Sequence, residues 1–437
     1  MSKTKTIDTT PSLKSPKNWL QRLKDESWEA ELLVSTISIF GTLQMFGLID
    51  WATNKFINLL DPSQYLIGYM IVFFGLLAIS ILISMFVIHF FLRAYWVGLV
   101  GLNSVFPDYS VEDSAYSKIY TEKILAILPK LKDSIQKVDE LCSVIFSVAF
   151  TFLLTYMYLG LFASIYLLIF NLLSEYVNSY ILLIPGILLL ATIFVQAIIS
   201  LIANLKKNKE KENLQIWNFR IVKLVSIITY GPLYKSILQV FMIFGSNFKK
   251  KKSLISLLFI FILSGMFVSV YQMTNTNIPY LITQESYFDV TKSYSSYYKS
   301  ENNDANFLLS PEIESDKVES SVLKLFIPIF SHEKKIRQEI CGSYIEDPNK
   351  SGLEQRTERR AQLLKCYQKY VLIYINGTLT KVDFLRYEHP KTNQSGIICY
   401  IDLSNLKSGL TKLEVKKKQD KKDITAWTIP FYYISKN

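Results

Sequence analysis

Four cysteines give this chain its clearest covalent chemistry. Cys142 begins a long apolar segment, where a lone thiol acts as a small apolar side chain. Cys399 alternates with isoleucines two residues away on either side, a pattern that places it on the buried face of a strand. In an oxidising compartment we therefore expect a disulfide between Cys341 and Cys366, near the surface. Three free cysteines, or a bridge to Cys399, remain alternatives.

Few other side chains could do chemistry in the apolar part of the chain. His89 is the single ionisable side chain inside the apolar segments, and we expect a neutral imidazole that shares a hydrogen bond. Glu29 and Glu31 stand just before the first of these segments. Either they are locally paired or solvated, or one of them holds a partner or a cation at the membrane edge. The other two histidines, His332 and His389, are expected outside and cannot complete a three-histidine metal site with His89.

Motifs for catalysis are missing from the sequence. It contains no phosphate-binding loop, dinucleotide glycine fingerprint, paired-histidine zinc motif, CxxC pair or nucleophile elbow. The sequence therefore predicts no catalytic residue, no metal, no cofactor and no enzymatic activity. The net charge of +11 lies mostly beside apolar segments, without an aromatic-basic strand motif, so a nucleic-acid partner is not expected either.

Long apolar helices must position these residues. Half of the chain is hydrophobic, and residues 141–174 and 176–205 contain no Asp, Glu, Lys or Arg. About 20 apolar residues cross a hydrocarbon layer of about 30 Å. Five segments meet this requirement, namely residues 32–49, 65–92, 142–173, 181–205 and 254–273. The sequence therefore predicts an α-helical integral membrane protein with about five transmembrane helices in the lipid bilayer.

The connections between these segments alternate between basic and nearly uncharged. Three of them contain 23 Lys and Arg residues, whereas the other two contain only Lys55. The basic connections are residues 1–31, 93–140 and 206–252, and the other two are residues 50–64 and 174–180. Since basic loops stay in the cytoplasm, we expect the N-terminus inside and everything after residue 281 outside. This predicts a multi-pass protein of a bacterial cytoplasmic (inner) membrane with a periplasmic C-terminal domain.

The cytoplasmic face is expected to be helical. Residues 1–31 form the N-terminal segment, in which Ser15-Pro16 predicts the start of an amphipathic helix. Residues 115–140 read as helix broken at Pro129, with the second half continuing into the third apolar segment. Residues 213–248 are apolar but interrupted at Gly231-Pro232, so two arms too short to cross form either surface helices or a re-entrant hairpin.

Small side chains at helical spacing mark two helix-packing seams. The candidates are Ser35, Ser38 and Gly41 in the first apolar segment and Ala197, Ser200 and Ala203 in the fourth. They could join helices within one chain or between copies in a homo-oligomer.

The C-terminal part changes from helical to strand patterns. Residues 32–281 are expected to form the membrane domain. Residues 282–319 follow it and are polar and rich in Ser, Tyr and Asn, which predicts an external stalk. Residues 320–437 contain six β-type runs, one helical run over residues 353–369 and an Asn376-Gly377 hairpin turn. This composition predicts an external β-rich domain built as an antiparallel sandwich.

One stretch of this domain resembles a known module. Residues 402–415, DLSNLKSGLTKLEV, resemble the turn into the penultimate strand of immunoglobulin-like modules, where a leucine and a glycine set the corner. The buried Trp and the Cys pair of antibody domains are missing. The resemblance implies an immunoglobulin-like sandwich and says nothing of a ligand.

These features favour a non-enzymatic membrane protein whose external β domain binds another envelope component, as a subunit or anchor of a membrane assembly. An oligomeric channel or facilitator lined by Ser, Thr and Asn is an alternative. A transmembrane sensor, with the helix at residues 131–141 relaying external binding inward, is another.

Overall fold

A computed structural model describes residues 28–106, 115–173, 176–247, 251–284, 288, 292–301, 306–345, 347, 350–418 and 424–435. The amphipathic helix predicted near Ser15 lies outside the described residues. The helices are α1 (Trp28–Leu59), α2 (Tyr65–Val105), α3 (Lys118–Leu125), α4 (Leu131–Leu173), α5 (Ser179–Ala203), α6 (Glu212–Tyr230), α7 (Tyr234–Asn247), α8 (Lys251–Met273), α9 (Glu333–Cys341) and α10 (Gly352–Tyr370).

Six helical segments, rather than the predicted five, are long and apolar enough to cross a membrane. They are Trp28–Leu59, Pro62–Val105, Leu131–Phe170, Ile181–Ala203, Glu212–Ile243 and Ser256–Met273. The sixth segment contains α6 and most of α7, which the sequence predicted as two helices too short to cross. In the structure, a 3₁₀ turn at Gly231–Leu233 joins these two helices directly. Gly231 permits this with a φ of 50°, and a Cβ there would collide with the Tyr158 hydroxyl.

The break at Pro129 is confirmed. Helix α3 ends before this proline and α4 begins after it, because proline cannot supply the amide that a continuous helix needs. Helix α4 then runs without interruption into the apolar segment, as the sequence predicted. Pro185 lies inside α5, so the fourth apolar segment also remains one helix.

The chain divides into two compact units. The first comprises Met1–Leu48 and Phe74–Tyr271. Within it, α2, α4 and α8 share an apolar core made by Leu82, Met85, Phe86, Ile145, Ala149 and Phe261. Helix α8 approaches α2 closely, since a Cβ at Gly265 would collide with the backbone of Ile81. Packing of this kind holds helices together without polar contacts.

The second unit comprises Ile49–Phe73 and Gln272–Asn437 and contains the described strands. The strands are β1 (Glu312–Ile313), β2 (Lys317–Val318), β3 (Val322–Pro328), β4 (Val371–Ile375), β5 (Thr378–Thr380), β6 (Leu385–Glu388), β7 (Ser395–Asp402), β8 (Gly409–Lys418) and β9 (Ile424–Tyr433). They form a four-stranded sheet in the order β1-β3-β7-β6 and a five-stranded sheet in the order β2-β9-β8-β4-β5. All pairings inside these sheets are antiparallel except β2 with β9, which is parallel.

Both sheets bury side chains in one common core. Leu325 of β3 and Cys399 of β7 belong to the same buried cluster as Val415 of β8 and Ile429 of β9, and all four are inaccessible to solvent. Alternate residues of β8 are buried, as the alternation in its sequence predicted. The hairpin turn is confirmed as well, because Asn376 and Gly377 both have positive φ and Ile375 pairs with Thr378.

The stalk expected at residues 282–319 contributes instead to this core. Strands β1 and β2 lie within the stretch, and Tyr297 and Ile313 are each only 1% exposed. The Tyr298 hydroxyl donates to the carbonyl of Pro430 in β9. Ser and Asn made the stretch look polar, but its aromatic rings fill space between the strands.

The short elements α9 and β6 were also missed, since nine and four residues carry too little periodic pattern.

The C-terminal part of α1 belongs to the second unit and contacts the β region. The backbone amide of His332 donates to the Asn58 carbonyl at 3.1 Å, and that of Ser331 donates to Asn58 Oδ1 at 3.0 Å. Asn277 donates to Asn54 Oδ1 at 2.8 Å. Residues 331–332 are therefore fixed to the end of α1 by one main-chain hydrogen bond and one hydrogen bond to the Asn58 side chain.

Candidate functional site

Arg93, near the C-terminal end of α2, is only 1% exposed. Its Nη1 donates to Asp139 Oδ1 on α4 at 2.6 Å, and its Nη2 lies 3.0 Å from Glu31 Oε2 on α1. The guanidinium also lies over the Trp96 ring at 4.5 Å. A guanidinium has the forked geometry to bridge two carboxylates, so Glu31, Arg93 and Asp139 tie three helices together. These three residues are termed the ionic cluster.

His89 lies one helical turn before Arg93. Its Nδ1 shares a hydrogen bond with Ser35 Oγ at 2.7 Å, which confirms the predicted role of this imidazole. Its Nε2 lies 3.9 Å from Glu31 Oε2. Glu31 therefore does hold a cation, as one interpretation of the sequence proposed, but the cation is Arg93 of the same chain.

The sequence did not single out Arg93 and Asp139, because both residues fall in the predicted cytoplasmic connection at residues 93–140. A usable signal existed, since His89 and Arg93 are four residues apart and so share a helix face. Asp139 likewise lies on the helix predicted to enter the third apolar segment. Three ionisable groups beside apolar segments in separate helices favour a buried network.

The residues predicted to form packing seams have mixed environments. Ser35 is buried against His89, Ala203 is buried and accepts a hydrogen bond from Gln215, and Ser200 donates to Asn218. Gly41 and Ala197 are exposed, and Ser38 is half-buried. Ser35, Ser200 and Ala203 thus act within the chain.

Cys341 and Cys366 form a disulfide, the pairing that the sequence analysis favoured. Cys341 ends α9 and Cys366 lies in α10, so the bond joins two helices. The sequence placed Cys341 in a turn, whereas the turn begins at Gly342 with a φ of 77°. Cys142 and Cys399 are free and buried, and burial raises the pKa of the Cys399 thiol to about 12.

Helices α9 and α10 form one side of a cleft of about 440 Å³ in the β region. Four cationic side chains line it, namely Lys334, Arg337, Arg359 and Arg386. Its remaining lining includes the disulfide, Tyr344, Tyr367 and the start of β7, and none of the lining residues that the structure describes is acidic. This surface is termed the basic cleft.

Arg337 is held in place within the basic cleft. Its Nη1 donates to the Tyr367 hydroxyl at 2.9 Å, and its guanidinium carbon lies 5.2 Å from the centre of that ring. In the part of the chain that the structure describes, no carboxylate forms an ion pair with any of the four cations. Uncompensated, converging cations raise the local concentration of anions and favour binding of carboxylates or phosphates.

Lys417 and Glu333 form a buried ion pair behind the cleft. Lys417 Nζ donates to Glu333 Oε1 at 2.7 Å and to the Pro328 carbonyl at 2.6 Å. Burial lowers the pKa of Lys417, and the neighbouring carboxylate opposes this effect. Glu312 and His389 form a second buried pair at 3.1 Å, where burial raises the pKa of Glu312. Both pairs connect separate elements and lie away from solvent, which suits a structural role.

Comparison with known proteins adds no relationship. No protein-family model matches the chain, and no curated protein or solved structure is significantly similar to it. Among the described residues, no three His, Cys, Asp or Glu side chains lie close enough together to hold a metal ion.

Proposed function

We propose that this chain is a non-enzymatic, multi-pass protein of a bacterial inner membrane whose external β domain binds an acidic segment of another envelope protein. The observation that carries the proposal is the basic cleft, where Lys334, Arg337, Arg359 and Arg386 converge without an acidic partner in the described chain. The protein would serve as a subunit or anchor of a membrane assembly.

A membrane location is supported by the outer faces of the apolar helices. Large apolar side chains project from them, such as Phe91 at 67%, Phe194 at 67% and Phe267 at 78% exposure. Soluble monomers rarely expose contiguous apolar surface on this scale. Lipid is the solvent that such faces require.

The external placement of the β domain rests on the contacts of Asn58. This residue lies in the connection at residues 50–64, which carries one basic residue and is therefore expected outside. Because Asn58 hydrogen-bonds residues 331 and 332, the β region lies on the same side of the membrane. A disulfide between Cys341 and Cys366 suits the same compartment.

With the N-terminus inside and the β domain outside, the chain must cross the membrane an odd number of times. The six candidate segments therefore cannot all cross, and the charge distribution favours α6 and α7 as the pair that does not. We therefore assign them as a pair that enters and leaves on the cytoplasmic side, turning at Gly231–Leu233. The basic residues before α6 and after α7 then remain in the cytoplasm, as the charge distribution favours.

We further assign the β domain to the immunoglobulin-like sandwiches. Two sheets share one core, and Gly409 opens the penultimate strand with a φ of 147°. The domain departs from the antibody pattern in helices α9 and α10, which lie between β3 and β4. These two helices build one wall of the basic cleft, so the departure coincides with the binding surface.

The proposal is tested by capture of partners from native membranes after cross-linking. The variant Arg337→Gln/Arg359→Gln/Arg386→Gln removes three of the four positive charges of the basic cleft without adding volume. Arg356→Gln/Arg360→Gln is the matched control, since these exposed residues lie on α10 outside the cleft. We expect discrete partners with wild type and the control, and at least a tenfold loss with the triple variant, about 1.4 kcal/mol. Equal capture by all three proteins would contradict the proposal.

A transmembrane sensor is the second candidate. Helix α1 contains both Asn58, which is fixed to the β region, and Glu31, which pairs with Arg93. Ligand binding that moved α1 along its axis would strain the ionic cluster at the other end of the same helix. Cysteine cross-linking between α1 and α4 with and without partner would detect this movement.

A further inference from the structure

A second, smaller cavity of about 280 Å³ lies in the same compact unit and shares no lining residue with the basic cleft. Its wall combines one carboxylate, three amides, several hydroxyls and two large apolar rings. The lining includes Asp50 from α1, Asn275 and Asn306 at the rim, and Ser310 and Trp427 at the base. This space is termed the polar cavity.

The polar cavity has an exposed rim and a buried base. Asn275 and Asn306 are exposed, whereas Ser310 and Trp427 are 7% and 3% exposed. The hydroxyl of Ser310 and the indole nitrogen of Trp427 are buried and have no hydrogen-bond partner in the structure. Leaving such groups unsatisfied costs folding free energy, so each is expected to meet a polar atom of a bound molecule.

The donor and acceptor types define the ligand. An indole N–H only donates, a carboxylate only accepts, and amides and hydroxyls do both. Among the residues that the structure describes, no Lys, Arg or His lines the polar cavity, so these residues offer no attraction for anions. The described lining includes one carboxylate, too few for a metal ion, which takes several oxygen ligands. Lys417 Nζ already lies 5.6 Å from the Trp427 ring centre, so a further cation at that ring would be repelled.

We infer that the polar cavity binds a neutral saccharide. Each sugar hydroxyl both donates and accepts, which matches a wall of amides, hydroxyls and one carboxylate. The C–H faces of a sugar ring pack on aromatic side chains, and Phe307 and Trp427 supply them. Asp50 near the end of α1 and Asn275 just after α8 place the polar cavity beside the ends of two apolar helices. A free saccharide or the headgroup of a glycolipid could fill it.

The test uses the full chain in a polyoxyethylene detergent, because maltoside detergents are themselves saccharides. Saturation-transfer NMR and tryptophan fluorescence would measure binding of maltose and of the disaccharide of N-acetylglucosamine. Ser310→Ala and Trp427→Phe each remove one unpartnered polar atom and leave existing hydrogen bonds intact. Ser269→Ala is the matched control, because this buried hydroxyl is also unpartnered but lies on α8 outside the polar cavity.

We expect at least one disaccharide to bind, and each cavity variant to weaken binding by about three- to tenfold, the value of one neutral hydrogen bond. Ser269→Ala should bind as wild type does. If dodecyl maltoside binds with the same sensitivity while the free sugars do not, the saccharide is a glycolipid headgroup. No binding of any of these probes by wild type, or wild-type affinity in both cavity variants, would overturn the inference.

Discussion

At the scale of single residues, Arg93 is the side chain whose removal should cost the most in the first unit. Arg93→Gln leaves Glu31 and Asp139, which are 17% and 22% exposed, without their cation. Breaking a fully buried ion pair costs about 3–5 kcal/mol, so we expect a loss of about 3 kcal/mol or less here. Arg93→Lys should lose less, because it keeps the charge but cannot fork between two carboxylates. Thermal unfolding of the detergent-solubilised chain would measure both effects.

The matched control for this prediction is Arg220→Gln. Arg220 lies on α6 with its guanidinium carbon 5.8 Å from the centre of the Trp217 ring, and no ion pair joins it to a described carboxylate, so its loss should change stability by less than about 0.5 kcal/mol. If Arg93→Gln unfolded at the same temperature as this control, the ionic cluster would not be holding α1, α2 and α4 together.

His332 gives the β region a predictable pH dependence. Its ring stacks on Phe330 and packs against Tyr65, and burial lowers its pKa despite the neighbouring Glu333. In the unfolded chain the imidazole takes up a proton near pH 6.5, whereas in the folded chain it does so only at a lower pH. The stability contributed by His332 is therefore present above about pH 6.5 and lost as the pH falls below it. Glu312 acts in the opposite direction, since its raised pKa favours proton uptake by the folded state.

We expect His332→Phe to reduce the loss of thermal stability between pH 7.5 and pH 5. Phe330→Leu is the control, because it weakens the same stacking contact while keeping the imidazole, and should lower stability equally at both pH values. An unchanged pH response in His332→Phe would assign the titration to another group.

At the scale of elements, long periodic segments were predictable and short ones were not. Helices α4 and α10 and strands β8 and β9 follow directly from apolar spacing, and the Asn376-Gly377 turn follows from backbone preferences. Strands β1 and β2 have two residues each, and only partners distant in sequence stabilise them. The basic cleft was missed for the same reason, because its four cations come from three elements brought together by folding.

The disulfide is an element-scale constraint with a calculable effect. It closes a loop of 25 residues between α9 and α10, which in the chain-entropy model stabilises the fold by about 3–4 kcal/mol. Cys341→Ser/Cys366→Ser should therefore unfold at lower denaturant concentration than wild type. A reductant should destabilise wild type and leave the double variant unchanged. A reductant effect of equal size in both proteins would mean that another bond is being broken.

At the scale of the whole molecule, the structure contains six helical segments long and apolar enough to cross a membrane, one more than the sequence predicted, but six crossings conflict with the contacts of the β region. Those contacts could not be read from the sequence, because Asn58 and His332 are 274 residues apart along the chain. Charge asymmetry and the Asn58 hydrogen bonds together favour five crossings, with α6 and α7 turning back.

Cysteine labelling with a membrane-impermeant reagent on intact cells decides this arrangement. Single cysteines at Lys55 and Asn393, both exposed, should react from outside, whereas a cysteine at Lys209 should not. Lys250→Cys is the decisive variant, since position 250 lies between α7 and α8 in the sequence. If α6 and α7 turn back, positions 209 and 250 react only after the membrane is permeabilised. If they cross, position 250 reacts from outside while 209 does not. The β domain would then lie on the opposite side of the membrane from residues 50–64, where its hydrogen bonds to Asn58 could not form.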